Sequence, residues 1–311
     1  MEICFQAGML TLGFIMLIKG ADWFVDGAAG IAARFHIPQL VIGLTVVAMG
    51  TSAPEAAVSI SSALKGSAEI TIGNIVGSNI LNVMMILGLA AVLTPLAVGR
   101  STVCCEIPFL FGITALLMIQ GLDGKIGFVE GGILLVCFVL YIGYLWRVTK
   151  KQNGRVAEPF AHQSLWKLFL LTVTGLAFII LGSNVSVDAA TSIAKSVGIS
   201  ERFIGLTVVA LGTSLPELFT SVSAARKGNA DIAIGNIVGS NIFNILFVVG
   251  LSALIVPVSF APTFFFDVII AGISTLFLFL FCLKKGQLNR WHGIAMLLGY
   301  LCYFVVILYC E

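Results

Sequence analysis

Long apolar runs alternate with short polar connections along this chain, and the runs are long enough to cross a bilayer. A membrane helix needs about 20 mostly apolar residues. The pattern predicts ten such helices, near 6–31, 39–64, 70–93, 102–121, 126–147, 166–192, 202–225, 231–256, 262–283 and 290–310. The longest hydrophilic stretch, 148–165, is too short for a domain. The first run does not read as a signal peptide. It lacks a basic leader, begins with Met1-Glu2, and carries Lys19, Asp22 and Asp26.

The polar positions inside these runs occur twice. Residues 42–89 and 204–251 align without a gap and agree at about 31 of 48 positions, which makes them an internal repeat. The offset is 162 residues, and it holds outward from the core. GADWFVDGAAGIA at 20–32 aligns with GSNVSVDAATSIA at 182–194, so Asp26 matches Asp188 and Gly20 matches Gly182. The unit is five spans. Five is odd, so the second copy enters the membrane from the opposite face, giving an inverted-topology repeat. The expected fold is an all-α polytopic membrane protein of ten transmembrane helices in two inverted five-helix repeats. The first repeat spans 1–150 and the second 166–311, joined by a cytoplasmic linker over 151–165.

Composition strengthens this picture. The chain is 59% hydrophobic and 10% charged, against about 25% charged in ordinary soluble domains. The net charge of +2 says little, but its distribution says more. Let the N-terminus lie on face X. Connections on the opposite face Y then carry Arg34, Arg100, Arg147, Lys150, Lys151, Arg155, Lys167, Arg226, Lys227, Lys284, Lys285 and Arg290. Those on face X carry only Lys65, Lys125, Lys195 and Arg202. The positive-inside rule makes Y cytoplasmic, with both termini extracellular or periplasmic and the chain in the cell or inner membrane. The seven cysteines read as small hydrophobes, and His36, His162 and His292 fall at connections without metal spacing. No phosphate-binding loop couples the chain to ATP. No cofactor, nucleic acid or protein partner is implied; the partner is the lipid bilayer.

The chemistry sits in GTSAPE at 50–55 and GTSLPE at 212–217. Pro54 and Pro216 lack an amide hydrogen and clash with the carbonyls of Gly50 and Gly212, so each helix should break inside the membrane. A break frees carbonyls, which is tolerated there only where protein or a polar cavity satisfies them. Hard cations take carbonyl, hydroxyl and carboxylate ligands. Thr51, Ser52 and Glu55 offer these in one copy, and Thr213, Ser214 and Glu217 in the other. In the following helix Asn74, Ser78 and Asn82 recur every four residues on one face, beside Gly73 and Gly77. The second copy has Asn236, Ser240 and Asn244, beside Gly235 and Gly239. Hydroxyls and amides also serve simply to join membrane helices. The glutamates differ, because a buried unpaired carboxylate is costly and no Lys or Arg lies in either core segment. Glu55 and Glu217 are therefore expected to be cation ligands or proton carriers. Asp26 and Asp188 read more simply as helix caps or backbone partners, and Lys19 with Asp22 as a local i,i+3 pair.

These segments resemble the α-repeats of the sodium/calcium exchanger family. GTSxPE followed by GNIVGSNIxN is a long pattern, and here it is duplicated. The Thr-Ser pairs look like the sodium branch rather than the proton-coupled branch. The resemblance implies that Glu55 and Glu217 together ligate Ca²⁺, with Thr51 and Thr213 contributing backbone carbonyls. It implies one flanking Na⁺ site from the Ala48 carbonyl, Ser52, Glu55 and Ser78. A symmetric site would use the Ala210 carbonyl, Ser214, Glu217 and Ser240, with Asn82 and Asn244 lining the middle. Asn244 stands where some relatives carry aspartate, which argues against potassium dependence and leaves two central acids. The implied activity is exchange of Na⁺ for Ca²⁺ by alternating access, in the direction of calcium efflux. A Ca²⁺/H⁺ antiporter using the same glutamates is the nearest alternative. A channel fits a broken inverted pair less well. An intramembrane protease fails for want of a base near a nucleophile or of an HExxH motif.

Overall fold

The computed structural model describes residues 2–65, 69–151, 163–198 and 210–310. Helices dominate. In chain order they are α1 (Glu2–Arg34), α2 (Gln39–Thr51), α3 (Ala53–Leu64), α4 (Ile70–Leu93), α5 (Thr102–Asp123), α6 (Phe128–Lys151), α7 (Leu165–Ser196), α8 (Ala210–Thr213), α9 (Leu215–Arg226), α10 (Ala230–Ile255), α11 (Thr263–Leu283) and α12 (Arg290–Cys310). Among the described residues eight helices are individually long and apolar enough to span a membrane, and α2 with α3 forms a ninth, bent span. The tenth expected span, near 202–225, has residues 202–209 outside the described set.

Three boundaries differ from the sequence reading. α1 and α7 run 33 and 32 residues, longer than 6–31 and 166–192. At 1.5 Å per residue each is about 50 Å long, well beyond a 30 Å hydrocarbon core. The apolar pattern marks only the part in lipid; the helix continues past it. The connection expected over 148–165 is also shorter at its start, because α6 continues to Lys151. Residues 152–162 of that linker, including His162, lie outside the described set.

Four two-residue strands join the halves: β1 (Leu96–Ala97), β2 (Lys125–Ile126), β3 (Val258–Ser259) and β4 (Gln287–Leu288). β1 pairs antiparallel with β4, placing Leu96 opposite Leu288; β2 pairs with β3, placing Ile126 opposite Val258. Val258 and Leu288 are the 162-residue equivalents of Leu96 and Ile126. Each ribbon therefore uses the third connection of one copy and the fourth of the other. Those connections share a membrane face only if one copy is inverted, so the hydrogen-bond register itself fixes the inversion. The flanking bonds repeat the symmetry: Val98 N–H donates to Gly286 at 2.7 Å, and Phe260 N–H to Gly124 at 2.9 Å. Gly124 and Gly286 make these turns at φ +86° and +56°, a conformation that favours glycine.

Helix packing follows the same exchange. Antiparallel α1 and α7 cross at Gly13 against Gly182 and at Gly20 against Gly175. α4 meets α12 at Gly88 and Gly293, and α10 meets α6 at Gly250 and Gly131. α4 and α10 lie at the centre: 78% and 83% of their apolar windows are buried, against 11% for α12. The outer helices present large apolar side chains such as Val139, Leu140 and Phe169 outward, as lipid contact requires.

Candidate functional site

The break predicted by Pro54 is present. α2 ends at Thr51, Ser52 leaves the helix (φ −80°, ψ 6°), and α3 departs at 50°. Pro54 then occupies the first turn of α3, where its missing N–H has no cost. The second copy repeats this at Ser214, with Pro216 in the first turn of α9. The half-helices α3 and α9 thus start at these breaks, and Glu55 and Glu217 sit in their first turns. Helix N-termini favour negative charge. The carbonyl freed at Gly212 accepts the Ser183 hydroxyl of α7 at 2.7 Å. Its equivalent in the first copy has no such donor, since Ala21 stands where Ser183 does.

Both glutamates are fully buried. Each is bonded by the serine of the other copy: Ser52 Oγ donates to Glu217 Oε1 at 2.8 Å, and Ser214 Oγ to Glu55 Oε1 at 3.2 Å. Oε2 of each has no partner. Among the described residues no Lys or Arg pairs with either.

α4 and α10 supply the amides. Asn79 Nδ2 donates to the Asn241 carbonyl at 3.2 Å, and Asn241 Nδ2 returns to the Asn79 carbonyl at 3.0 Å. Their side-chain oxygens accept from the flanking amides: Asn82 Nδ2 to Asn241 Oδ1 at 3.0 Å, and Asn244 Nδ2 to Asn79 Oδ1 at 3.2 Å. The donor ends of Asn82 and Asn244 are thereby tied down, and their Oδ1 atoms have no partner. Both residues lie in π-helical turns, Leu81–Leu87 and Asn244–Val249, irregularities that cluster at functional sites. Four unpartnered buried oxygens result, two carboxylate and two amide, from equivalent positions of the copies. Unsatisfied acceptors in a membrane interior are costly, and oxygens of these kinds are the ligands that hard cations take.

The remaining expected residues divide. Ala48 and Ser240 come together, the Ser240 hydroxyl donating to the Ala48 carbonyl at 3.4 Å. This contact crosses between copies, whereas the resemblance placed the two in separate sites. The Thr51 hydroxyl bonds Asn236 Oδ1 at 3.0 Å and the Ala48 carbonyl at 3.3 Å. Ser78 is buried in α4 and Thr213 half-buried at the end of α8. Ala210 opens α8, and its side chain lies outside the described set. Asn74 and Asn236 act as struts. Asn74 Nδ2 bonds Ser59 Oγ at 3.0 Å and the Glu55 carbonyl at 3.4 Å; Asn236 Nδ2 bonds Ser221 Oγ at 2.9 Å and the Glu217 carbonyl at 3.4 Å. They hold each glutamate-bearing half-helix against α4 or α10.

Sequence reasoning missed the Asn79–Asn241 clasp, although both residues stand in the identical GSNI of the two copies. It also missed Glu106, a buried acid in α5 whose equivalent is Val268. The local Lys19–Asp22 pair is corrected: Asp22 and Asp26 instead face Lys227 at the end of α9. Lys227 Nζ lies 2.7 Å from Asp26 Oδ1 and 3.7 Å from Asp22 Oδ1, and donates to the Asp22 carbonyl at 2.7 Å. Helical spacing carries no information about a charge on another helix, and a three-donor ammonium there wins. Ser223 adds a bond to Asp22 at 2.6 Å. Rotating by the repeat gives Lys65 and Asp188 at the other face; among the described residues these two form no ion pair.

The chain matches the family model described as sodium/calcium exchanger protein over residues 5–147 and 167–309. It is 38% identical over 305 residues to the putative antiporter CaxA of Alkalimonas amylolytica, covering 94% of this chain and 96% of that one. It is 32% identical over 351 residues to the sodium/calcium exchanger MaX1 of Methanosarcina acetivorans, covering 97% and 98%. Among solved structures it resembles the sodium-calcium exchanger NCX_Mj soaked with 2.5 mM Na⁺ and 10 mM Sr²⁺. That likeness has a TM-score of 0.85 and 33% identity, over 97% of this chain and 99% of that one.

Proposed function

This chain belongs to the sodium/calcium exchanger protein family, and on that premise we propose that it exchanges Na⁺ for Ca²⁺ at the site between Glu55 and Glu217. It is a multi-pass membrane cation antiporter; the coupling ion, direction and ligands are our reading. The observation that carries it is the set of unpartnered oxygens on Glu55, Glu217, Asn82 and Asn244, with no cationic side chain among the described residues to neutralise the two acids. The Ser52 and Ser214 hydroxyls, with the backbone carbonyls of Thr51, Thr213, Ala48 and Ala210 and the hydroxyls of Ser78 and Ser240, complete the oxygen cage. Asn79 and Asn241 are positioning residues that aim the Asn82 and Asn244 oxygens inward.

Exchange follows from charge. Two bare carboxylates resist passage through a low-dielectric barrier. One Ca²⁺ neutralises them, and so do two Na⁺; a third Na⁺ on the neutral oxygens would make the cycle electrogenic. Loaded forms reorient and the empty form does not. With face Y cytoplasmic, an inward Na⁺ gradient drives Ca²⁺ out of the cell. The test is ⁴⁵Ca²⁺ uptake into proteoliposomes loaded with Na⁺, choline, or a pH gradient. Uptake that needs internal Na⁺ and responds to membrane potential supports this reading. Uptake driven by a proton gradient and indifferent to Na⁺ replaces it with Ca²⁺/H⁺ antiport on the same carboxylates.

The Lys227 clasp gives alternating access a structural handle. Lys227 with Asp22 and Asp26 fastens α1 to α9 at face Y, while Lys65 and Asp188 stand apart at face X. Reorientation exchanges the two: the first pair opens and the second closes. The Lys227 and Asp26 side chains are 27% and 39% exposed, so such a pair is worth roughly 0.2–1 kcal/mol, or up to about a fivefold population shift. Lys227→Met is expected to favour access from face Y by about that factor, and Lys65→Met to favour access from face X. Half-saturating Ca²⁺ measured from each side reports this. Shifts in the same direction for both variants would sink the exchange of clasps.

A further inference from the structure

Glu106 lies outside the exchange machinery, and every ion ligand proposed for that machinery occurs in both copies. The equivalent of Glu106 is Val268, and the equivalent of Tyr144 is Val306. Glu106 is nevertheless 1% exposed within a membrane-spanning helix. An ionisable group there needs a reason. Its Oε1 accepts the Tyr144 hydroxyl at 2.9 Å and the Ser101 hydroxyl at 3.4 Å. Its Oε2 has no partner, and neither does the buried hydroxyl of Tyr141.

Glu106 and Tyr141, which carry these covered atoms, line a largely apolar cavity of about 280 Å³ between α5 and α6. Glu106, Phe109, Cys137, Leu140, Tyr141 and Tyr144 line it. Its aromatic wall is continuous: Phe109 stacks on Tyr141 with ring centroids 5.1 Å apart, and Tyr141 on Tyr144 at 6.3 Å. A carboxylate beside stacked aromatic faces is a receptor for an organic cation. The free Oε2 is an acceptor, so it calls for an N–H donor and selects a primary ammonium over a quaternary one. The apolar lining calls for a hydrocarbon body behind that nitrogen. A small metal ion would find one carboxylate and little else, too few oxygens for a hard cation.

Depth and charge narrow the source. Glu106 is the fifth residue of α5, about 6 Å along the helix from its start at face Y. That is about one turn into the span, near enough to its end for a lipid headgroup to reach. Arg100 precedes the helix, and Arg147 follows Tyr144 by one turn; both are exposed at the same end. Arginine is suited to phosphate. The geometry points to a site for the primary ammonium group of a membrane amphiphile. In the aminophospholipid case the amine binds Glu106 between the tyrosines and the phosphate binds the arginines.

The test uses the full chain and native mass spectrometry of the purified protein titrated with defined ligands. Phosphatidylethanolamine is compared with phosphatidylcholine and phosphatidylglycerol of the same acyl chains; dodecylamine is compared with dodecanol. The expected result is retention of phosphatidylethanolamine at least fivefold over phosphatidylcholine, with that preference lost in Glu106→Gln and reduced in Tyr144→Phe. Binding of dodecylamine alone, still dependent on Glu106, assigns the site to free amines and upholds the ammonium chemistry. Equal binding of amines and non-amines, or a preference unchanged in Glu106→Gln, overturns the proposal. The variants' melting temperatures and Ca²⁺ flux serve as folding controls. Wild-type flux in a variant that has lost the preference also separates this site from the exchange site. Should Glu106→Gln fail to fold, Leu140→Trp fills the cavity from its lipid side and is expected to remove the same preference.

Discussion

Replacing either central glutamate by glutamine is expected to abolish Ca²⁺ flux while leaving the protein folded. Glu55→Gln halves the charge facing a divalent ion and turns an unpartnered acceptor toward a mixture of acceptor and donor. Removing one partner of a buried charge pair costs about 3–5 kcal/mol, which is at least a hundredfold in affinity. Glu217→Gln is expected to match it, because each copy supplies one of the two carboxylates. Stability separates this loss from misfolding. Without ions the wild type buries two carboxylates with no counter-charge among the described residues, so ion-free Glu55→Gln is expected to melt no lower than wild type. Added Ca²⁺ raises the wild-type melting temperature by mass action and leaves the variant's unchanged. A variant with full flux, or one still stabilised by Ca²⁺, would remove the two glutamates from the site.

The second large effect is expected at Gly239. A Cβ there would lie 2.7 Å from both Cα and O of Leu44 and 2.8 Å from the Ala48 Cβ. Gly235, one turn away, would meet the Leu40 carbonyl at 2.9 Å and the Gly43 Cα at 3.0 Å. α2 and α10 therefore touch backbone to backbone, the contact that GxxxG spacing allows. Backbone cannot step aside as a side chain can. Gly239→Val is expected to destabilise by roughly 3 kcal/mol or more, at the upper end of overpacking costs. Gly112→Val in α5 has nothing within 4 Å of the new Cβ and serves as the matched control. Thermal unfolding in detergent checks both. Equal melting temperatures for the two variants would mean that α2 and α10 do not pack this closely.

The sequence made some of this visible and hid the rest for definite reasons. Apolar runs declare membrane helices because lipid admits few alternatives, and a repeat with an odd number of spans admits only inversion. Pro54 and Pro216 located the breaks because a missing amide hydrogen acts locally. The glutamates stood out by their cost. What was hidden depends on helices meeting across some 160 residues of chain. Ser52 was expected beside Glu55 and is found on Glu217. The face shared by Asn74, Ser78 and Asn82 was legible, yet it concealed a division of labour. Asn74 braces α3, Asn79 one residue past Ser78 clasps α10, and Asn82 is left with an oxygen to spare. In the sequence Lys227 is only one more positive charge on face Y, since nothing in its neighbourhood names Asp26 as its partner. The full lengths of α1 and α7 were concealed because their ends leave lipid and lose the apolar signature.

The two ribbons of paired strands carry a consequence for where such a chain comes from. Each is made of one strand from either half, in a register that the repeat maps onto the other ribbon. A five-span unit by itself would offer two unpaired edges, one on either side of the membrane. A second identical unit, inserted upside down, would cover both, and would also complete the glycine crossings of α1 with α7 and of α4 with α12. The architecture is thus self-complementary before it is a single polypeptide. An ancestral gene for one half, whose product inserted in both orientations, would already assemble the whole scaffold as an antiparallel homodimer. Fusion then frees the halves to diverge, and Glu106 opposite Val268 is a trace of that freedom.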